Sequence, residues 1–101
     1  MHYEILKAPK VTTIGLKGRM GFADHAVFRD VIRAFDLPPG ESVVFDMGGL
    51  EFIDSSGLGM LIIARDEAKK RQLEFVIKDV RSDVKRLMDM AKFDRFFTIL
   101  Q

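Results

Sequence analysis

Short apolar runs alternate with longer helical patterns along this chain, and the alternation constrains the fold more than any other feature. The first two runs, 3–7 and 11–18, are separated only by Ala8-Pro9-Lys10, which predicts an antiparallel pair of strands. Later strands are predicted at 42–47, 73–78 and 95–100. Strands joined through helices are most simply parallel, with right-handed crossovers. The pattern therefore predicts an α/β fold of order ββαβαβαβ, a small, mixed and mostly parallel sheet of about five strands backed by helices.

Three segments between these strands carry apolar residues at helical spacing. The first has Asp24 as its predicted N-cap and the stripe Phe28, Val31, Ile32 and Phe35. The second has the stripe Leu58, Leu61, Ile62, the stem of Arg65, and Ala68. The third has Ser82 as its predicted cap and the stripe Val84, Leu87, Met88 and Ala91. The run 42–47 shows no alternation, which predicts a strand buried on both faces.

Composition excludes several classes of protein. The 101 residues suit one domain, 1–101, and carry 16 basic and 15 acidic side chains, a balance that argues against nucleic acid as a partner. The chain has no cysteine, which excludes disulfides and thiolate metal sites, and no cofactor or metal is predicted. No apolar run reaches the length of a membrane span, and the first residues lack a signal-peptide core. We therefore expect a cytoplasmic domain with no membrane insertion.

Known catalytic patterns are missing from the sequence. The two histidines, His2 and His25, cannot be placed beside a nucleophilic serine from the sequence. Because positions 53 and 54 are Ile and Asp, neither following serine fits the G-x-S-x-G nucleophile pattern. A phosphate-binding G-x-x-x-x-G-K-[ST] loop is also missing. The prediction is that this chain is not an enzyme and has no catalytic residues.

The junction between the third strand and the second helix reads Asp54-Ser55-Ser56-Gly57-Leu58-Gly59. In α/β sheets the carboxyl end of a strand and the following helix start form an exposed functional edge. One cap, Asp54 or Ser55, is enough to begin a helix, which leaves Ser56 in the first turn without a capping role. The two glycines each cost the helix up to about 1 kcal/mol relative to alanine. The surplus serine and the glycines therefore favour a functional edge with close access for a partner.

Phosphorylation of Ser56 would be compatible with folding at this position. A phosphoserine adds about −1.5 to −2 charges at pH 7. In the first turn of a helix, that charge would meet free backbone N–H groups and the positive end of the helix dipole. A modification here would block or reshape an interface while the domain stays folded.

The segment "VVFDMGGLEFIDSSGLGMLI" resembles the centre of the STAS domains, the sulfate transporter and anti-sigma factor antagonist family. Its D-S-S-G-L-G is similar to the phosphorylation motif of bacterial anti-anti-sigma factors, and "GLKGRMG" and "VKRLMDMAKFDRFFTI" extend the likeness over nearly the whole chain. The resemblance implies an anti-sigma factor antagonist with Ser56 as phosphate acceptor and with Asp54 and Ser55 shaping the loop. The implied partners are an anti-sigma factor that is also a serine kinase, which supplies the ATP, and a serine phosphatase.

One turn departs from the family pattern. After the second strand, family members commonly carry an acidic residue where this chain has Gly21, and Asp24 follows three residues later. In the family that turn contributes to the partner surface. The predicted partner-binding residues are therefore Gly21 and Asp24 together with Asp54, Ser55, Ser56, Gly57, Leu58 and Gly59.

Two alternatives remain open from the sequence. Accessory STAS subunits of transport complexes, for example complexes that handle lipids, keep the same fold without a serine switch. A nucleotide or small-molecule sensor would place its ligand at the same edge of the sheet.

Overall fold

The computed structural model describes residues 1–100 and contains the predicted order of elements, ββαβαβαβ. The strands are β1 His2–Ala8, β2 Val11–Met20, β3 Ser42–Ile53, β4 Glu74–Lys78 and β5 Thr98–Leu100. The helices are α1 His25–Arg33, α2 Ser55–Lys70 and α3 Ser82–Met90. Two short 3₁₀ turns, Phe22–Asp24 and Phe93–Arg95, precede α1 and β5.

The five strands follow one another in the sheet in the order β1-β2-β3-β4-β5. β1 is antiparallel to β2, as predicted, and every other neighbouring pair is parallel. Right-handed crossovers between successive parallel neighbours all place their helix on the same face of the sheet. Residues of α1, α2 and α3 accordingly share one buried cluster, so the sheet has a helix-covered face and an open face.

This one-sided packing corrects the prediction that 42–47 is buried on both faces. Val43, Phe45 and Met47 are fully buried against the helices, whereas Val44 and Asp46 on the open face are half-buried. The strand therefore alternates with a period of two, as strands covered on one face do. The sequence indicated burial on both faces because Val44, although it lies on the open face, is apolar and β-branched, and such residues occur on either face of a sheet.

Two boundaries also differ from the predicted ones. β3 continues through Gly48-Gly49 to Ile53, and its pairing with β2 has register shifts at Gly15/Lys17 and Gly18/Arg19. The extension carries β3 directly to the start of α2. β5 is shorter than predicted, because the Phe93–Arg95 turn takes up the beginning of the run 95–100.

Aromatic packing organises the covered face. The Phe45 ring lies 6.4, 6.0 and 4.9 Å from the rings of Phe28, Phe35 and Phe75, and the contacts are close to edge-on. Such contacts add to the hydrophobic gain from burial. The predicted α1 stripe is confirmed in Phe28 and Val31, and Phe35 is buried just beyond the helix end.

The apolar stripes of α2 and α3 are confirmed in part. In α2 the buried residues are Gly57, Met60, Leu61, Ala64 and Ala68, a stripe rotated from the predicted one. In α3, Val84 and Met88 are buried but Leu87 and Ala91 are exposed. The predicted Ser82 cap is wrong, because Arg81 occupies the N-cap position of α3 and Ser82 is the first helical residue.

Candidate functional site: the start of helix α2

The start of α2 lies where β2 and β3 end, at the carboxyl edge of the parallel strands. The backbone N–H of Asp54 donates to the carbonyl of Met20 over 3.2 Å, which fixes the end of β3 against the end of β2. Two connections therefore meet at this point, the turn from β2 into α1 and the turn from β3 into α2. The sequence-predicted site residues come from these two turns, and the fold brings them together.

Asp54 is the N-cap of α2. Its backbone is extended, with φ −107° and ψ −174°, and the Gly57 N–H donates to its Oδ1 over 2.9 Å. The cap leaves Ser55 and Ser56 as the first two helical residues, where backbone N–H groups have no intrahelical acceptor. Ser55 is exposed and Ser56 is half-buried. The Asp54 cap decides between the two candidates that the sequence allowed, Asp54 and Ser55, and leaves both serine hydroxyls without a capping role.

The two glycines of the motif have different surroundings. A β-carbon on Gly57 would lie 2.5 Å from both Cγ1 of Ile53 and the carbonyl oxygen of Met20. Gly57 therefore allows the first turn of α2 to pack directly on the ends of β2 and β3. A β-carbon on Gly59 would have nothing within 4 Å. The open space that we expected around both glycines exists only at Gly59.

Gly21 lies against the cap of α2. A β-carbon at this position would lie 2.7 Å from Oδ2 of Asp54. The φ of Gly21 is −152°, an extended value open to any residue, so the constraint is space rather than backbone conformation. An acidic side chain in this conformation would collide with the Asp54 carboxylate and add a like charge. The close approach of the two turns therefore agrees with a glycine at position 21, where family members commonly carry an acidic residue.

Asp24 holds the Gly21 turn closed. The Gly21 N–H donates to its Oδ2 over 2.8 Å, and the Asp24 N–H donates back to the Gly21 carbonyl over 2.9 Å. Asp24 occupies the N-cap position of α1, but the prediction that its carboxylate caps this helix is wrong, because the side chain makes no such bond. The carboxylate instead serves the preceding 3₁₀ turn.

The α-ammonium group of Met1 lies 2.8 Å from Oδ1 of Asp24. This ammonium group, followed by the Gly21 N–H, holds the pKa of the Asp24 carboxyl below its ordinary value of 3.8. The interaction ties the beginning of the chain to the turn beside the α2 start. Only 16% of the Asp24 side chain is exposed, which limits screening by solvent.

The sequence patterns did not indicate two exposed aromatic side chains at this edge, Phe22 and Phe52, which together with Arg19 form what we call the aromatic surface. Phe22 is 75% exposed and makes an edge-on contact with His25 at 5.5 Å. The Arg19 guanidinium lies 4.2 Å from the centre of the Phe52 ring, which is 38% exposed. The available signal was the position of each phenylalanine, two residues before Asp24 or Asp54 in "GFAD" and "EFID".

An open cavity of about 490 Å³ lies between the two turns. Arg19, Phe22 and Phe52 line it together with Asp24 and Asp54. The surface next to Ser55 and Ser56 therefore combines exposed aromatic area with the Arg19 guanidinium and two carboxylates, of which Asp24 is paired with the Met1 ammonium group. Aromatic residues and arginine are enriched at the centres of protein–protein interfaces.

Among the side chains that the structure describes, no three of His, Asp or Glu converge at one point, so they offer no metal centre. No helix in the described part of the chain is long and apolar enough to cross a membrane.

The fold and this edge define a small α/β domain that presents a serine-bearing helix start beside an aromatic surface. Residues 2–101 match the family model of the STAS domain, and the chain belongs to the STAS domain family. It is 31% identical to a STAS-domain containing protein of Pseudomonas aeruginosa over 87 residues, which cover 86% of this chain and 85% of the relative.

Solved structures show the same fold at lower identity. An anti-sigma factor antagonist (STAS) domain protein from Planctomyces limnophilus superposes with a TM-score of 0.87 at 17% identity, covering 98% of this chain and 89% of that one. An anti-sigma factor antagonist from Mycobacterium paratuberculosis gives a TM-score of 0.83 at 20% identity, covering 98% and 84%. These likenesses establish the STAS fold of this chain.

Proposed function

We propose that this STAS domain is an anti-sigma factor antagonist that acts by partner switching, with Ser56 as the phosphate acceptor. The observation that supports the proposal is the helix start at Asp54. Asp54 alone caps α2, and two further hydroxyls follow it at a surface-accessible turn. The unphosphorylated domain would bind an anti-sigma factor that is also a serine kinase, and phosphorylation at Ser56 would weaken that binding.

The electrostatic environment at the start of α2 favours a phosphate on Ser56, and the domain is expected to stay folded with it. Ser56 is the second helical residue, so a phosphate on its hydroxyl would lie near free N–H groups and the positive end of the helix dipole. The negative charge of the Asp54 carboxylate lies nearby and would repel the phosphate. Its Oδ1 already accepts the Gly57 N–H, which partly balances this charge. Phosphorylation is therefore expected to leave the domain folded.

The same phosphate would disfavour a docked partner. It would add about −1.5 to −2 charges two residues after Asp54, which lines the same cavity as Phe22 and Phe52. A partner that covers those rings would have to bury the new charge, at a cost that only a matching cation would offset. A phosphorylation switch requires these two different effects: the phosphate leaves the domain folded and weakens binding of the partner.

In this scheme the chain is a substrate and binding partner, not an enzyme. The kinase supplies ATP, and a serine phosphatase removes the phosphate and restores binding. The names of the structural neighbours, which include anti-sigma factor antagonists from two bacteria, agree with this assignment.

A phosphorylation assay with the cognate kinase and ATP tests the acceptor. Intact-mass measurement should show the addition of one phosphate to the wild type and to Ser55→Ala, and none to Ser56→Ala. Ser55 is the matched control because it is adjacent and more exposed than Ser56. If the phosphate persists in Ser56→Ala and disappears in Ser55→Ala, the acceptor is Ser55 and not Ser56.

A binding assay tests the switch itself. Ser56→Asp should keep the circular dichroism spectrum of the wild type and lose partner binding, whereas Ser56→Ala should keep both. Equal binding by the two variants would contradict partner switching. Loss of folding in Ser56→Asp would instead give Ser56 a structural role in the α2 start.

A further inference from the structure

The outer edge of β1 has no partner strand within the described chain. β1 pairs with β2 along all its seven residues, from His2↔Lys17 to Ala8↔Val11, without a register shift. In residues 1–100 the sheet continues only on the β2 side, so the other side of β1 presents its backbone N–H and C=O groups outward. Natural proteins usually shorten, bulge or cover such an edge.

The two edges of the sheet differ in this respect. β5 has only three residues, which is one of the usual protections. β1 has seven residues and contains no proline. Charge is a further usual protection, and β1 carries it at Glu4 and Lys7, on either side of the exposed apolar residues at its centre. Ile5 on the helix-covered face is 38% exposed, and Leu6 on the open face is 67% exposed. Tyr3 is half-buried and the other six residues of β1 are exposed, so no helix covers this edge.

We infer that β1 pairs antiparallel with β1 of a second copy of this chain, which joins two sheets into one of ten strands. A two-fold axis normal to the sheet keeps the helices of both copies on one face. The register that pairs all seven residues places Ile5 opposite Ile5 of the second copy. It also places Glu4 opposite Leu6, Tyr3 opposite Lys7, and His2 opposite Ala8.

Charge disfavours one neighbouring register, and the length of the pairing disfavours the other. Side chains opposite one another share a face, so a shift of the pairing must be an even number of residues. One such shift places Glu4 opposite Glu4 of the second copy, and like charges directly opposite are destabilising. The other shift places Leu6 opposite Leu6 and pairs residues 4–8 only. In the full register no like charges face each other, and Ile5 and Leu6 each gain a directly opposite side chain of the second copy.

The dimer leaves the proposed switch free. The Met1 ammonium group contacts Asp24, so β1 begins at the same edge of the sheet as the α2 start. Antiparallel pairing therefore places the two Ser56 residues at opposite ends of the joined sheet. The inference does not depend on the proposed function, and Ser56→Asp is expected to dimerise as the wild type does.

Single cysteines test the register, because the chain has none of its own. Residues directly opposite have Cα atoms about 4.5–5.5 Å apart, within the range of a disulfide. Ile5→Cys should therefore form a disulfide dimer in a glutathione redox buffer. Glu4→Cys and Leu6→Cys are the controls, because each would lie about 8 Å from its counterpart. Non-reducing gels and intact mass should show at least tenfold more dimer for Ile5→Cys than for either control.

Charge exchange provides a second, independent test. Ile5→Lys and Ile5→Glu each place like charges opposite one another at the two-fold axis. Each variant alone should sediment as a monomer, an equimolar mixture should form the dimer, and the wild type should dimerise with rising concentration. Equal cross-linking at positions 4, 5 and 6, or no cross-linking at any of them, would overturn the inference. So would a wild type and a variant mixture that both stay monomeric.

Discussion

Gly21 lies so close to Asp54 that any side chain at position 21 would meet the carboxylate that caps α2. A β-carbon at position 21 would lie 2.7 Å from Oδ2 of Asp54, while Oδ1 of the same carboxylate accepts the Gly57 N–H. The turn from β2 into α1 thus packs against the group that begins α2. A substitution in either turn is therefore expected to alter the conformation of the other.

Gly21→Ala should displace the Asp54 carboxylate and weaken the cap of α2. The expected cost is about 0.5–2 kcal/mol in the free energy of unfolding, the usual range for loss of an N-cap. Urea unfolding followed by circular dichroism measures it. Gly15→Ala is the control, since a β-carbon there has nothing within 4 Å. Equal stability of Gly21→Ala and the wild type would show that the carboxylate moves aside without loss of the cap.

Two glycines on the first turns of α2 should respond in opposite directions to alanine. Gly57→Ala forces a β-carbon to 2.5 Å from Ile53 Cγ1 and the Met20 carbonyl, and overpacking of this kind costs about 1–3 kcal/mol. Gly59→Ala enters open space and removes the helix penalty of glycine, a gain of up to about 1 kcal/mol.

Thermal and urea unfolding of the two variants, compared with the wild type, test this difference. Both substitutions add one methyl group within the same helix, so each serves as the control for the other. Destabilisation of both to the same extent would contradict the packing role of Gly57. In that case the helix start as a whole would be sensitive to substitution.

The contrast between these glycines shows what the sequence could and could not predict. The order of strands and helices along the chain follows from local sequence pattern and agrees with the prediction. Asp54 is one of the two caps that the sequence allowed. The neighbours of Gly57 include Met20, which is distant in sequence. Local pattern therefore could not tell a packed glycine from an exposed one.

The same reason explains the error at Asp24. An aspartate just before a helical stripe predicts an N-cap, but the Asp24 carboxylate bonds to the Gly21 N–H and the Met1 ammonium group instead. The second of these partners is brought near only by the pairing of β1 with β2. Phe22 and Phe52 were missed because each turn carries one of them, and only the fold places both on the walls of one cavity.

Asp24 should make stability depend on pH in the acid range. Its folded pKa is depressed, chiefly by the Met1 ammonium group, so the folded state binds the proton less readily than the unfolded state. The stabilisation is therefore present above the ordinary value of 3.8 and is lost as the pH falls through the lower folded pKa. Asp24→Asn removes this dependence.

Urea unfolding of untagged protein from pH 7 to pH 3 measures the effect. The wild type should be more stable than Asp24→Asn by a constant amount above about pH 5, and the difference should shrink below pH 3.8. Asp36→Asn, at an exposed position after α1, is the control for the loss of one carboxylate. A difference that stays constant down to pH 3 would show that the Met1 ammonium group and the Gly21 N–H together do not lower the pKa of Asp24 in solution.

Phe22 should contribute to partner binding without contributing to folding. It is 75% exposed beside the α2 start, and its one aromatic contact is with His25 at the edge. Phe22→Ala should change the free energy of unfolding by less than about 0.5 kcal/mol, as exposed substitutions usually do. Binding to the proposed anti-sigma factor should fall by about tenfold or more, equivalent to about 1.4 kcal/mol, because aromatic residues at interface centres carry much of the binding energy.

Met90→Ala is the matched control, because Met90 is 74% exposed but lies at the C-terminal end of α3. In this fold the helices begin at the carboxyl edge of the parallel strands and end at the opposite edge, away from Ser56. Calorimetric titration of the partner into each variant separates the two positions. Equal losses of affinity in both variants would point to a general effect of exposed apolar area. Unchanged binding in Phe22→Ala would exclude the aromatic surface from the interface and leave the α2 start alone to hold the partner.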